Sequence, residues 1–578
     1  MQISWIQAIW IALAAYLSVS VWPLGVGYFT LYRPLIAGTI VGLILGDVRQ
    51  GMAFGAALNA VHLGFVSTGG SLPSDLATAG YIGTALALSS NLTVEAALAT
   101  FGIPLGVLGG FLWFGRMTLG SIFVHWADAR AAKGDVRGVT AINLWAGQGM
   151  LFVFYALPTF LVVYLGQRGI DTLLAWLPAR LIDALAVVGG LLPAVGIGLL
   201  LRSMAKWRQI PYFVVGFLLV LYLDLPILVV GLLGACVAWL AAKQVDQVPR
   251  GPSPAVREPV LRVPQRVLRA AWRRWIMFLH ASYNYERLQG LGFAHAISPV
   301  IEYLYKKRED RAAALKRHTA FFNTEPQFGA LVPAVVITME EERAAGAAIS
   351  DEAISGVKSG LMGPLAGVGD SLLQGVIVPL LLSLGIGLAQ QGNLAGPILY
   401  VLLISIVVWG TSYGFWSLGY RLGKAAVSRI LSSGWVPVVT EAATVVGLAV
   451  VGALAATTVQ FSTPAEIVVG PARVSLQTDV LDMILRGVLP LVVVCLVWWL
   501  LYKGFSPMRV VGVLFGLGVD MAYLGLAGWS APALFTAQWR AFVLGGEGAT
   551  MGSALLHLLP PLLATALVVG VLYRKKDS

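Results

Sequence analysis

The chain has 578 residues, 58% of them hydrophobic and only 12% charged, with a net charge of +11. Soluble proteins carry about 25% charged residues, so the composition excludes an ordinary water-soluble protein and points to a surface that faces lipid. The positive charge does not indicate nucleic acid. Lys and Arg gather in short connections, at Arg130/Lys133/Arg137, Arg202/Lys206/Arg208, Arg250 to Arg274, Lys306 to Arg317 and Arg574/Lys575/Lys576. This is the positive-inside pattern, which predicts that those connections and the C-terminus are cytoplasmic.

Apolar runs recur along the chain, at 5–23, 97–114, 144–165, 185–201, 212–223, 225–242, 398–413, 438–455, 484–501 and 555–572. Many approach the roughly 20 residues needed to cross a bilayer. No basic n-region precedes the first, so it is expected to remain as a membrane helix. Cys236 and Cys495 sit inside apolar runs without metal-ligand spacing and read as packing residues.

In the first membrane block (1–242), Gly64 to Asp75 interrupts a hydrophobic stretch with Ser67, Thr68, Gly69, Gly70, Ser71, Pro73 and Ser74. Non-helical backbone at membrane depth must be walled by protein, so the break predicts a cavity lining or re-entrant hairpin. Asn59 and His62 lie just before it, three apart and therefore on one helical face. Together with Ser67 and Asp75 they are candidates for binding a polar solute. Each alone serves as readily in helix–helix hydrogen bonding.

A linker follows at 243–275, with five prolines and eight Lys/Arg against Asp246 and Glu258. It leads into a basic amphipathic helix over 260–275. Residues 283–343 are only mildly apolar and read as helices on the cytoplasmic side. Their candidates are Asn284, Glu286, Gln289 and Asn323, the last in a helix end stopped by Pro326. From 361 the chain is membrane-like again, and Gly363 to Ser371 predicts a second break, presenting Asp370. Paired broken segments in two halves of a chain point to a transporter's binding site. Residues 464–477 read as a short hairpin between spans, and 527–578 as an additional span with a basic tail.

Catalytic motifs are missing. There is no GxxxxGK[ST] phosphate loop, no HExxH and no metal spacing among the six histidines. The string Gly410-Thr411-Ser412-Tyr413-Gly414 lies at the end of an apolar span, without the strand-to-helix setting of a nucleophile elbow. No cofactor, metal or catalytic residue is expected, so transport must be energised by an ion gradient or another polypeptide. The fold expected is an all-α polytopic membrane protein of two halves with broken, re-entrant segments.

Six stretches carry a resemblance. SYNYERLQGLGF (282–293), KRHTAFFNTEP (316–326), GVKSGLMGPLAGVGDSL (356–372) and the helix around Glu441 resemble the IID component of the mannose–fructose–sorbose family of the bacterial sugar phosphotransferase system. RPLIAGTIVGLILGD (33–47) and the LPSD loop ending at Asp75 resemble the family's IIC component. The resemblance implies four parts: IIC-like 1–242, linker 243–275, IID-like 276–526 and the tail 527–578. It further implies an inner-membrane, elevator-type importer of a hexose-type sugar that assembles as a homotrimer among membrane lipids. Phosphorylation of the sugar would come from a separate cytoplasmic IIB protein, itself charged by IIA. Asn59, His62, Ser67 and Asp75 would then form one wall of the sugar site, and Asn284, Glu286, Gln289, Asn323 and Asp370 the other. Arg266, Arg269, Lys306 and Lys307 would dock IIB by charge complementarity. The mannose-type pattern usually has Glu or Gln where Asn59 stands, so the resemblance does not carry the sugar's identity. The alternatives are an ion-coupled sugar transporter of the same fold and a non-transporting receptor.

Overall fold

The computed structural model of the chain describes residues 2–63, 74–90, 92–176, 184, 187–243, 263–423, 435–469, 472–505 and 507–523. Residues 64–73 with Ser67, residues 244–262 of the expected linker and residues 527–578 lie outside them. The described chain is predominantly helical. Four helices, Val94–Ala131, Val136–Gly166, Asp351–Gln390 and Ala395–Arg421, are long and apolar enough to cross a bilayer. The shortest has 27 residues, about 40 Å at 1.5 Å per residue, against a hydrocarbon core of about 30 Å. Two further pairs pass the same test jointly but bend sharply, Val187–Arg202 with Trp207–Leu223 by 120° and Leu476–Ile484 with Val488–Tyr502 by 68°.

Local rules account for the first hairpin. Pro34 opens the Pro34–Leu45 helix and Gly46 closes it in the left-handed region at φ +90°. Asp47 then caps the Val48–Val61 helix by accepting from the Gln50 amide at 2.9 Å. The two helices touch backbone to backbone, because a Cβ at Gly38 would lie 2.4 Å from the Gly51 carbonyl oxygen. Small residues at such spacing let apolar helices approach closely in lipid.

The two halves share one core rather than packing as separate bodies. Residues of the first half, including Leu35, Phe213, Phe217 and Val230, join Phe293, Leu382, Ala449 and Val497 of the second in a single buried cluster. The closest approach is between Ile210–Leu223 and Trp435–Thr458, where a Cβ at Gly216 would fall 1.9 Å from the Ala449 carbonyl oxygen and one at Gly452 2.0 Å from that of Phe213. At the end that carries the basic connections, Arg287 makes a bidentate pair with Asp128 at 3.0 and 2.7 Å, and Arg308 reaches the Lys133 carbonyl. At the opposite end a cavity of about 510 Å³ opens among Glu95, Asp224, Gln390 and Gln460.

The hairpin expected at 464–477 is there, as antiparallel strands Glu466–Val469 and Ala472–Ser475. The break expected at 363–371 is not. Asp351–Gly369 continues through a π-helical segment, Asp370–Ile377, into Val378–Gln390 without interruption. The widened turn takes up the disturbance that Gly and Pro introduce, so the helix bulges where a loop was expected.

Candidate functional site

Where the halves meet near the middle of these helices lies a cavity of about 260 Å³. The end of the first helix and the following turn contribute Ser18 to Phe29, and the Val94–Ala131 helix contributes Trp113 and Arg116. From the second half come His280, Tyr283, Gln289, Asn323, Glu325, Asp370 and Gln374.

The second-half residues are held by three of the sequence stretches singled out above. Leu288 sits at φ +48° and pairs with both Asn284 and Phe322, and the Gln289 amide donates to the Phe322 carbonyl at 2.8 Å. This ties the 282–293 stretch to the 321–327 turn. Gln289 then mimics a backbone partner: its Nε2 donates to the Thr324 carbonyl at 2.8 Å and its Oε1 accepts from the Thr324 amide at 2.9 Å. The turn also docks on the Asp351–Gly369 helix, with Thr324 Oγ1 donating to the Met362 carbonyl at 3.1 Å. A Cβ at Gly369 would lie 2.5 Å from Glu325 Oε2, so a glycine is required there to bring Asp370 beside the turn.

Within the cavity wall, Tyr283 donates its hydroxyl to Asn323 Oδ1 at 2.9 Å, and the Glu325 carboxylate accepts from the Gln327 and Phe328 amides. Arg116 is buried and stacks its guanidinium over Trp113, 3.9 Å from the ring centroid. Among the described residues it has no carboxylate in ion-pair range. A buried cation with no carboxylate in direct contact is costly, and polar ligand atoms in the cavity would offset the cost.

A second polar knot braces the site from the side of the basic connections. Glu340 accepts from Arg317 Nη2 at 2.8 Å and from His318 Nε2 at 2.7 Å, and Arg317 Nη1 reaches Asp351 at 2.7 Å. Lys358 Nζ donates to the carbonyls of Arg317 and His318. Burial alone would push the Glu340 carboxyl up, but the His318 and Arg317 donors more than offset it and hold it at about 2. Burial keeps His318 neutral, at about 4.

Of the expected binding residues, the structure brings Gln289, Asn323 and Asp370 together at the cavity. It does not bring in the others. Asn59, His62 and Asp75 form a buried cluster inside the first half. Asn59 Oδ1 accepts from the Leu35 amide at 3.1 Å, and His62 lies between the Leu58 carbonyl and Ser74 Oγ. Asp75 accepts from the hydroxyls of Tyr155 at 2.8 Å and Tyr32 at 3.2 Å and from the Thr78 amide at 2.7 Å. Asn284 is spent on an Asx-turn with the Glu286 and Arg287 amides, and Glu286 is exposed, 3.6 Å from His125. Ser67 lies outside the described residues. Arg266 and Arg269 stand exposed on the Gln265–Phe278 helix beside Tyr413, and Lys306 and Lys307 at the exposed turn after Gly290–Leu304.

Arg116, His280, Tyr283 and Glu325 were not expected. Arg116 was legible, as a lone charge in an apolar run at membrane depth. Glu325 belongs to the NTEP stretch already singled out. Nothing in the sequence marked His280 apart from its neighbours.

Comparison with known proteins finds two family matches. Residues 5–240 match the sorbose-specific IIC component of the phosphotransferase system. Residues 262–527 match the IID component of its mannose/fructose/sorbose family. The mannose-specific EIID component of Escherichia coli K12 is 36% identical over 273 residues, 46% of this chain and 96% of that protein. The N-acetylgalactosamine permease IIC component 1 of the same organism is 33% identical over 239 residues, 40% of this chain and 89% of that protein. A solved structure of the mannose transporter ManYZ in complex with microcin E492 is 35% identical over 46% of this chain and 99% of the matched chain, with a TM-score of 0.28. The chain therefore belongs to the mannose/fructose/sorbose family of the sugar phosphotransferase system, with a IIC component and a IID component in one polypeptide.

Proposed function

We propose that the cavity between the halves holds a hexose-type sugar on its way across the membrane. The chain is a membrane translocation component of a phosphoenolpyruvate-dependent sugar phosphotransferase system, and the sugar is phosphorylated by a separate IIB protein. One observation carries the assignment of the site. The IID-like stretches 282–293, 316–326 and 356–372 converge on one polar cavity, and the IIC-like half closes it with Trp113 and Arg116. Sugars offer hydroxyls to planar polar groups and an apolar face to aromatic rings. Asp370 would accept from hydroxyls, Asn323, Gln289 and Arg116 would donate or orient, and Trp113 and Tyr283 would cover the ring.

In this reading the four parts of the chain are the IIC-like domain, the linker, the IID-like domain and the tail, with the basic connections and C-terminus cytoplasmic. The bent helix pairs would act as hinges of an elevator motion, and the chain would work as a homotrimer. Lys306 and Lys307 would meet the acidic surface of phospho-IIB. There the sugar hydroxyl attacks phosphorus, the bond from phosphorus to the IIB histidine breaks, and the hydroxyl proton leaves with the freed imidazole. No residue of this chain carries the phosphoryl group. Proteoliposomes with this chain, IIA, IIB, the general phosphotransferase proteins and phosphoenolpyruvate should convert external hexose to internal sugar phosphate. Uptake of unmodified sugar driven by a proton gradient, without phosphoenolpyruvate, would overturn the reading in favour of ion-coupled transport.

A further inference from the structure

The Gln265–Phe278 helix buries Leu268, Ala271, Trp275 and Ile276 and turns Arg266, Arg269 and Arg273 outward. At i, i+3 and i+7 the three arginines share one face. Together with Trp272 and Tyr413 they line a groove of about 460 Å³. Among the described residues no carboxylate lies within ion-pair distance of any of the three. Three unpaired guanidiniums in one groove call for an anion.

The other wall of the groove says which anion. Tyr413 ends a stripe of exposed apolar residues formed by Leu394, the cap of the Ala395–Leu422 helix, and by Ile398, Leu402 and Ile406 on it. From Leu394 to Tyr413 the stripe covers roughly 28 Å at 1.5 Å per residue, close to the thickness of one hydrocarbon core. The arginines thus stand where hydrocarbon gives way to headgroups. The Gly410 to Gly414 string, which no enzyme motif explains, fits the same place. A Cβ at either glycine would meet nothing within 4 Å, so the helix surface stays open on both sides of Tyr413. Ser412, between them, accepts from Trp272 Nε1 at 3.2 Å, and Trp272 packs edge-on against Tyr413 and Trp409. Aromatic rings of this kind anchor at the membrane interface.

We propose that this groove is a seat for an anionic phospholipid, its phosphate held by Arg266, Arg269 and Arg273 and its acyl chains lying along the stripe below Tyr413. The site is independent of the sugar cavity and of how transport is energised. A soluble acidic protein would match the arginines but leave the apolar stripe unexplained, and this favours lipid.

The test uses the purified full chain, stripped of lipid in neutral detergent. Phosphatidylglycerol should raise its melting midpoint and co-purify with it, while phosphatidylcholine should do neither. The Arg266→Gln/Arg269→Gln/Arg273→Gln variant should bind phosphatidylglycerol about a hundredfold more weakly, roughly a factor of five per arginine. Lys306→Gln/Lys307→Gln should bind it normally. Gly410→Phe leaves the arginines in place and fills the acyl slot, so it should also weaken the lipid; its elution as a single folded species separates this from misfolding. Three results would overturn the proposal: an unchanged lipid response in the triple variant, an equal stabilisation by inorganic phosphate alone, or a triple variant that keeps the lipid yet loses coupling to IIB.

Discussion

Two clusters of buried polar side chains, one in each half, look alike in sequence and differ in what they leave over. In the IIC-like half Asp75 has three donors, from Tyr32, Tyr155 and Thr78, and His62 uses both ring nitrogens on Leu58 and Ser74. These acceptors are satisfied by the protein itself. In the IID-like half Gln289 spends its amide on Thr324, but Asp370 faces the cavity with no hydrogen-bond partner among the described residues, as does Arg116 from the IIC-like side. Buried polar groups that close their own hydrogen bonds hold a fold together, and those left open are available to a ligand. Hydrogen-bond accounting, rather than residue type, separates scaffold from site.

The largest effect should come from the knot that braces the IID-like wall. Arg317→Leu leaves Glu340 and His318 buried without their cation and should cost about 3–5 kcal/mol, read as loss of folded protein from detergent extracts. The same knot predicts a pH dependence. His318 is held at about 4, below its unfolded value of 6.5, and Glu340 at about 2, below its unfolded 4.5. Both contribute stability that is complete above pH 6.5 and is lost as pH falls. The melting midpoint should therefore decline between pH 6.5 and 4, and a flat profile would mean that the pair does not hold the wall.

Next is Asp75→Ala, which strips an acceptor from two tyrosines and a backbone amide. It should cost about 2–3 kcal/mol in stability, while the folded fraction keeps its KM for sugar. A raised KM in well-folded Asp75→Ala protein would instead move the IIC-like cluster into the site. Asp370→Asn reverses the pattern, with the midpoint nearly unchanged and sugar phosphorylation, as kcat/KM, down about 10- to 100-fold for the loss of a charged acceptor, roughly 1.5–3 kcal/mol. Glu286→Gln is the smallest. Its carboxylate is exposed beside His125, and both stability and transport should stay within about 0.5 kcal/mol of the parent.

Much of this was legible beforehand, for identifiable reasons. Apolar length pointed to three of the four long helices, through the runs 97–114, 144–165 and 398–413, but not to Asp351–Gln390, and the polar stretch at 464–477 gave the hairpin. The break expected at 363–371 failed because Gly and Pro lower helix propensity locally, whereas a π-bulge lets a long helix carry them when its flanks are packed. The lining of the cavity was half legible. Gln289, Asn323 and Asp370 stood in distinctive polar stretches. His62 and Asp75 looked equally suitable, because a sequence shows which groups can hydrogen-bond and not which have already done so; Asn59 spends only its Oδ1, on the Leu35 amide, and its Nδ2 is buried without a partner among the described residues. Arg116 was visible as an isolated charge, but its place in the wall depended on Trp113 one turn away and on cavity residues of the second half at least 160 positions later.

The backbone contact at Gly216 and Gly452 gives the fusion itself a meaning. Two helices that meet at carbonyl-to-Cα distance are held there by their own complementarity, whatever joins the two halves of the chain. What the fusion changes is supply. One message and one round of translation deliver the two partners in equal number and always within reach of each other. Separately made halves should still assemble when co-expressed, but only the joined form is protected against a shortage of either one.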